Sequence, residues 1–500
     1  MKYKNPVLPG FYPDPSVCRV GKDFYLVTSS FEYFPGVPIF HSLDLVNWRQ
    51  IGHCLDRQSQ LPLAGAPAST GIYAPTLRYN NATFYMTTTN VSSGGNFIVT
   101  AQKPEGPWSD PMPVNQPGID PSLFFDNDGS VLYTTSNGGA LQSSIDIKTG
   151  RLLSEPKVVW TGTGGQYPEG PHLYYIGGWY YLLMAEGGTE YGHMATIARS
   201  KSPWGPFKSC TRNPILSHRS YHSPIQALGH ADLAEINNIW FAVFLGIRPN
   251  GYPPCYHLGR ETFLSPVAWA DDGFPVIGDN GRVSLEMETS LTLDDVAETF
   301  PRDDFDADKP AICWNYLRNP DPKQYSLVER HGFLRLRGSA DSLDDAASPA
   351  WLGRRQCHFN MQASALMEFK PEAENEEAGL TVRMNEKHHY EIFVTMRSGK
   401  TSVVLRRRIG SLQAEVACKA LPQSRPERLV LAVDADKDKY VFSYGASGDD
   451  ISSLGEGETR YLSTETAGGF TGVYLAMYSS GNGRPCRQPA DFDWFDYVIK

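Results

Sequence analysis

No run in this 500-residue chain is long and apolar enough to cross a bilayer. The opening residues Met1-Lys2-Tyr3-Lys4-Asn5-Pro6 lead into no apolar stretch of signal-peptide length, so a cytoplasmic protein is expected. The eight cysteines, Cys18 to Cys486, lie singly, without the CxxC pairs of zinc sites or the density of a disulfide scaffold. They read as reduced, mostly buried small hydrophobes. Positive charge is also in short supply: a formal net charge of -10 argues against a nucleic-acid backbone or an anionic membrane as partner. A neutral ligand fits better. Long helical periodicity is missing, whereas 46 Gly, 37 Pro and 12% aromatic residues mark an all-β chain with many turns.

What is present in abundance is repetition. Asp14-Pro15-Ser16, Ala74-Pro75-Thr76, Asp120-Pro121-Ser122 and Glu169-Gly170-Pro171-His172 are each followed by an aromatic and β-branched run, such as Phe24-Tyr25-Leu26-Val27-Thr28 or Trp179-Tyr180-Tyr181-Leu182-Leu183. A fifth, degenerate unit opens at Gly229-His230-Ala231-Asp232-Leu233. Units of short strands recurring at roughly 45 to 60 residues are the sign of radially arranged sheets, here a five-bladed β-propeller. Outer-strand tryptophans recur too, at Trp48, Trp108 and Trp204. Composition changes near Pro301-Arg302-Asp303-Asp304, and alternating strands such as Phe333-Leu334-Arg335-Leu336-Arg337, Glu391-Ile392-Phe393-Val394 and Thr401-Ser402-Val403-Val404-Leu405 predict a β-sandwich. The expected division is residues 1–295 for the propeller and 296–500 for the sandwich. The acidic run Glu372-Ala373-Glu374-Asn375-Glu376-Glu377 reads as a solvated loop.

The first strand of each propeller blade lines the central channel, so Asp14, Asp120 and Glu169 are expected to converge. Converging acids repel, and proteins keep such an arrangement where the resulting spread of pKa values is useful. Two carboxyl groups flanking a glycosidic bond can act as general acid and general base, while a third tunes the acid. Asp before Pro is also ordinary turn chemistry. Ala74 answers that reading: the acid is gone there while Pro75 stays.

Gly10-Phe11-Tyr12-Pro13-Asp14-Pro15-Ser16, Gly71-Ile72-Tyr73-Ala74-Pro75, Asp120-Pro121-Ser122-Leu123-Phe124 and Glu169-Gly170-Pro171-His172-Leu173 together resemble glycoside hydrolase family 43. The family comprises five-bladed propeller β-xylosidases, α-L-arabinofuranosidases and arabinanases. Gly259-Arg260-Glu261-Thr262 and Ala490-Asp491-Phe492-Asp493-Trp494-Phe495 extend the resemblance to its two-domain β-xylosidase branch, with a concanavalin-like jelly roll as second domain. The resemblance implies an inverting mechanism with Asp14 as general base, Glu169 as general acid and Asp120 as the residue that orients and tunes the acid. Inversion leaves room for water, so the Asp14 and Glu169 carboxyl groups are expected roughly 6.5 to 9.5 Å apart. Arg260 matches the family's sugar-contacting arginine. His230 matches a histidine that in many members approaches a hydrated calcium on the axis; no cofactor is required for the chemistry itself.

Phe31, Tyr73 and Phe470 are candidate pocket walls, because aromatic faces pack on the apolar faces of sugars. Tyr73 stands where many β-xylosidases have Trp, and Phe470 would have to reach over from the sandwich, where an ordinary core position is the plainer reading. Thr189, in Gly187-Gly188-Thr189-Glu190, is a candidate contact from a blade-top loop. The expected function is exo-release of terminal β-D-xylose or α-L-arabinofuranose from xylo- or arabino-oligosaccharides, with α-L-arabinofuranosidase as the alternative main activity. A non-catalytic carbohydrate-binding propeller would use the same aromatics without an acid–base pair. Retaining fructan-cleaving propellers carry Glu-Cys at the acid, whereas Gly170 follows Glu169 here. Sandwich-bearing members often form homodimers or homotetramers.

Overall fold

The computed structural model describes residues 1–294, 302–422, 428–448 and 450–500. The repeat resolves into five antiparallel sheets. Blade 1 comprises Ser16–Val20, Asp23–Val27, Gly36–Ser42 and Arg49–Leu55; blade 2 comprises Thr76–Asn80, Thr83–Asn90, Gly95–Ala101 and Met112–Pro113. In blade 3, Ile119–Phe125, Val131–Ser136 and Ala140–Asp146 are followed by Arg151–Leu152 and Lys157–Trp160, which both pair with the third strand. Blade 4 runs through Glu169–Ile176, Trp179–Glu186, Met194–Ser200 and Lys208–Ser209, and blade 5 through Gln226–Ile236, Ile239–Ile247, Glu261–Trp269 and Pro275–Ile277. The first strand of each blade borders the first strands of both neighbours, which closes the ring.

Apolar residues fill the seams between blades. Val27, Ile39, Leu77 and Met86 pack between blades 1 and 2, and Leu183, Ile197, Phe244 and Phe263 between blades 4 and 5. The last seam, between blades 5 and 1, holds Val17, Phe24, Leu26, Phe241 and Val243. Hydrogen bonds lock it. Lys2–Lys4 pairs with Glu286–Glu288, and the Asn5 side chain both donates to the Leu264 carbonyl at 2.9 Å and accepts from its N–H at 3.0 Å. Trp48, Trp108 and Trp204 all sit in the connection from third to outermost strand of their blades, as their spacing predicts.

Beneath the mouth of the channel, four blades meet at one buried ion pair. Arg78 of blade 2 binds Asp232 of blade 5, Nη1 to Oδ2 at 2.9 Å, and donates to His172 Nδ1 of blade 4 at 3.0 Å. Asp232 also accepts from the Ser16 hydroxyl (2.8 Å) and Val17 N–H (3.1 Å) of blade 1, and from the Tyr174 hydroxyl (2.5 Å) of blade 4. Burial alone would raise the Asp232 carboxyl; Arg78, His172 and these hydrogen bonds outweigh it and hold the group well below the usual carboxylate range.

The second domain is a sandwich of two sheets. One orders Leu412–Ala420, Lys400–Ile409, His388–Arg397, Glu377–Asn385, Tyr474–Ser480, Ala350–Arg355 and Asn315–Leu317, and its last strand is Tyr33–Phe34 from the propeller. The other runs Tyr325–Ser326, Leu334–Leu336, Ala490–Ile499, Met361–Glu368, Leu429–Ala435, Lys439–Ser447 and Asp450–Glu458. The expected boundary at 295/296 lies outside the described residues. Phe11, Phe31 and Tyr33 of the propeller share a core with Trp351, Phe393, Tyr474 and Tyr478 of the sandwich, and the Tyr33 and Tyr474 rings stack with centroids 4.0 Å apart. The acidic run is not wholly solvated: Glu376 and Glu377 are buried, because Glu377 begins a central strand and receives both terminal nitrogens of Arg406 at 2.9 and 2.6 Å. Of the cysteines, Cys18, Cys54, Cys210 and Cys357 are buried, whereas Cys418 is exposed on the edge strand Leu412–Ala420.

Removing one partner of a buried, hydrogen-bonded ion pair strands the other charge, so Asp232→Asn is expected to lower stability by about 3–5 kcal/mol, read as a lower denaturant midpoint. The pH dependence carries the sign. A carboxyl held below its unfolded value stabilises fully above about pH 4 and loses that contribution as pH falls further. The deficit of Asp232→Asn relative to wild type should therefore narrow in acid; a deficit independent of pH would contradict the pairing.

Candidate active site

The three acids leave the regular pleat for a local reason. Asp14 and Asp120 hold left-handed backbone, with φ of 55° and 52°, each directly before a proline. Asp tolerates that region better than most residues. In blade 3 the strand register shifts between Ile119 and Ser122, in blade 4 between Glu169 and His172, and in blade 5 on either side of Gly229. Such bulges re-aim side chains, here towards the axis. In blade 4 the left-handed residue is Gly170 (φ 57°), where a Cβ would also come within 3.0 Å of the His230 ring. Ala74 does not take up left-handed backbone, so blade 2 lacks the turn as well as the acid. Blade 5 shows the converse: His230 holds the same left-handed backbone (φ 50°) with no carboxylate at that place, so turn and acid are separable.

Electrostatics then separate the acids. Asp14 Oδ1 lies 2.6 Å from Arg260 Nη1 and 3.9 Å from His230 Nδ1, while Oδ2 accepts from the Ser29 hydroxyl at 2.5 Å. Burial pushes the Asp14 carboxyl up, but Arg260, His230 and Ser29 outweigh it and leave it below its ordinary value. Glu169 has no such compensation: burial and the charges of Asp120 and Asp14 push its carboxyl well above the usual range, opposed only by Arg260. Asp120, which accepts the Gly170 N–H at 3.1 Å, is raised to about 6, chiefly by burial. His193 Nδ1 lies 3.9 Å from Glu169 Oε1, and burial lowers this imidazole to about 3. The floor therefore separates the two carboxyls, favouring the ionised form of Asp14 and the protonated form of Glu169.

Asp14, Phe31, Tyr73, Asp120, Glu169, Thr189, His230, Arg260 and Phe470 all line one cavity of about 630 Å³. Phe470 is no sandwich-core residue: it is 36% exposed and closes an aromatic cluster with Phe31 and Tyr73, at centroid distances of 6.1 Å to each. It is carried there by a chain of contacts. Glu32 accepts the Ser69 N–H at 2.9 Å, the Ser69 hydroxyl accepts the Phe470 N–H at 2.8 Å, and the Phe470 carbonyl accepts from Arg260 at 3.4 Å. Ser29 and His193 support the acids without having been singled out in the sequence, and Asn137, Tyr167 and Glu190 line the cavity unannounced. Tyr167-Pro168-Glu169 was the available signal for one of them, an aromatic two residues before an acid.

Among the described residues no group of three His, Cys, Asp or Glu side chains could hold a metal ion. A cation on the axis would rest on His230, a donor set that fits only an ion keeping nearly all its water. Arg260 already supplies positive charge beside Asp14.

Comparison with known proteins agrees with this geometry. Residues 3–275 match Glycosyl hydrolases family 43, and residues 302–498 match the Beta xylosidase C-terminal Concanavalin A-like domain. The non-reducing end alpha-L-arabinofuranosidase BoGH43B of Bacteroides ovatus is 46% identical over 505 residues, covering 99% of this chain and 94% of that protein. A xylosidase/arabinosidase of Butyrivibrio fibrisolvens is 39% identical, covering 98% of each. The solved structure described as Bacteroides ovatus Xyloglucan PUL GH43B superposes with a TM-score of 0.96 at 45% identity, covering 100% of both chains. With both domains matched along nearly their whole length, this chain belongs to glycosyl hydrolase family 43.

Proposed function

We propose that the protein is an exo-acting, inverting glycosidase that releases terminal α-L-arabinofuranose and β-D-xylose from short oligosaccharides. The observation that carries this reading is that Asp14 and Glu169 line one cavity with their carboxyls shifted in opposite directions, Asp14 down beside Arg260 and Glu169 up by burial. Glu169 gives its proton to the glycosidic oxygen as the bond from that oxygen to the anomeric carbon breaks. Asp14 takes a proton from the water that attacks the same carbon from the opposite face, so configuration inverts in a single displacement. Asp120 does its work through charge and through the Gly170 N–H it holds, and Arg260 keeps Asp14 ionised. A sugar-binding protein without catalysis has no use for two carboxyls shifted apart on one floor.

The names of the Bacteroides ovatus and Butyrivibrio fibrisolvens relatives support the two pentoses. An exposed thiol at Cys418 and cysteines scattered singly along the chain support a reducing compartment such as the cytoplasm. No step is assigned to a metal; a hydrated calcium over His230 would add positive charge to the floor.

Nitrophenyl α-L-arabinofuranoside and β-D-xylopyranoside should both be hydrolysed, and NMR of the first-formed sugar should show the inverted anomer; activity on neither glycoside would defeat the proposal. Glu169→Gln should lose about 10²- to 10⁴-fold in kcat on unactivated oligosaccharides. Asp120→Asn removes a charge that raises Glu169, so the basic limb of the kcat/KM profile should move to lower pH. A basic limb unmoved in that variant would show that another group sets it.

A further inference from the structure

Two residues before Glu169, Tyr167 holds left-handed backbone (φ 48°), which a bulky residue rarely adopts without a local reason. The segment is fastened on both sides of it. The Gly187 N–H donates to the Gln166 carbonyl at 2.7 Å, and the Ser136 hydroxyl donates to the Pro168 carbonyl. The ring itself rests on Gly188, where a Cβ would fall 2.8 Å from it. Yet Tyr167 is 65% exposed, so this costly placement is not returned as core burial. Instead the ring lines the cavity that contains Asp14 and Glu169.

Exposure gives the cavity a direction. Asp14, Asp120, His230 and Arg260 are 6% exposed or less, the Glu169 side chain is 17% exposed, and Tyr167 stands in the open. A terminal sugar enters to the closed floor. Glu169 protonates the oxygen that joins it to the rest of the substrate, so the departing part lies on the open side of Glu169, where Tyr167 is. We propose that Tyr167 is the platform of a leaving-group subsite, its ring stacked on the apolar C–H face of the pyranose attached to the departing oxygen. The enzyme thereby selects substrates whose terminal pentose is carried by another sugar. Strain in the strap keeps the platform in register with the acid, so stacking energy helps align the bond to be broken.

The inference rests on the glycosidase reading, and the test separates the two. Xylobiose carries a leaving sugar; β-D-xylopyranosyl fluoride carries none. In Tyr167→Ala the ratio of kcat/KM on xylobiose to kcat/KM on the fluoride should fall about tenfold, the effect of about 1.4 kcal/mol of stacking. Tyr167→Phe should keep the wild-type ratio, and the basic limb of the pH profile should stay in place in both variants. Residual turnover of the fluoride shows that Tyr167→Ala is folded. An unchanged ratio would overturn the inference, as would a falling ratio accompanied by a shifted basic limb, which would make Tyr167 a support for Glu169 only. Wild-type protein inert towards both compounds, and towards the corresponding arabinofuranosyl substrates, would overturn the glycosidase reading and this one with it.

Discussion

Five inner strands share one axis, and every charged side chain they direct inwards must be balanced by the others. The molecule solves this twice, in adjacent layers. A few residues along the inner strands from the acids, Arg78 and Asp232 neutralise each other with Ser16, His172 and Tyr174 completing their hydrogen bonds. That layer joins four blades. At the mouth, three carboxyl groups meet one guanidinium, and Arg260 is spent on Asp14. The shortage leaves Glu169 only partly countered by Arg260, so burial and the neighbouring carboxylates favour its protonated form. Stability and chemistry are thus the satisfied and the under-satisfied versions of one geometric constraint.

The sandwich enters the same balance from outside the ring. Tyr33–Phe34 continues its sheet, so blade 1 and the second domain share backbone hydrogen bonds as well as an aromatic core. Through Glu32, Ser69 and Phe470 that docking reaches Arg260 itself. The second domain therefore closes the cavity wall and touches the residue that fixes the charge of Asp14. Separating the domains would open the pocket and alter its electrostatics together.

How much of this could be read beforehand depended on range. The acids were legible because Asp14, Asp120 and Glu169 recur at equivalent points of a repeat, and repetition turns three ambiguous turns into one converging site. Arg260 and His230 followed from the family resemblance. Phe470 was ambiguous because it meets Arg260 across 210 residues, with nothing local to distinguish a pocket wall from a core aromatic. Nothing local marked Arg78, since its partner Asp232 lies on a different blade. Glu376 and Glu377 looked solvated because the arginine that buries Glu377 comes from a later strand. Tyr167 left almost no mark: its importance lies in backbone strain and in its place on the rim, neither of which composition records.

The central claim is that the folded protein at neutral pH carries a protonated Glu169 opposite an ionised Asp14. Infrared difference spectroscopy of the ligand-free protein at pH 7 addresses it directly, comparing wild type with Glu169→Gln and with Asp14→Asn. The account predicts that Glu169→Gln removes a protonated-carboxyl band, whereas Asp14→Asn removes a carboxylate band. Loss of carboxylate signal in both variants, with no protonated carboxyl lost in either, would contradict it.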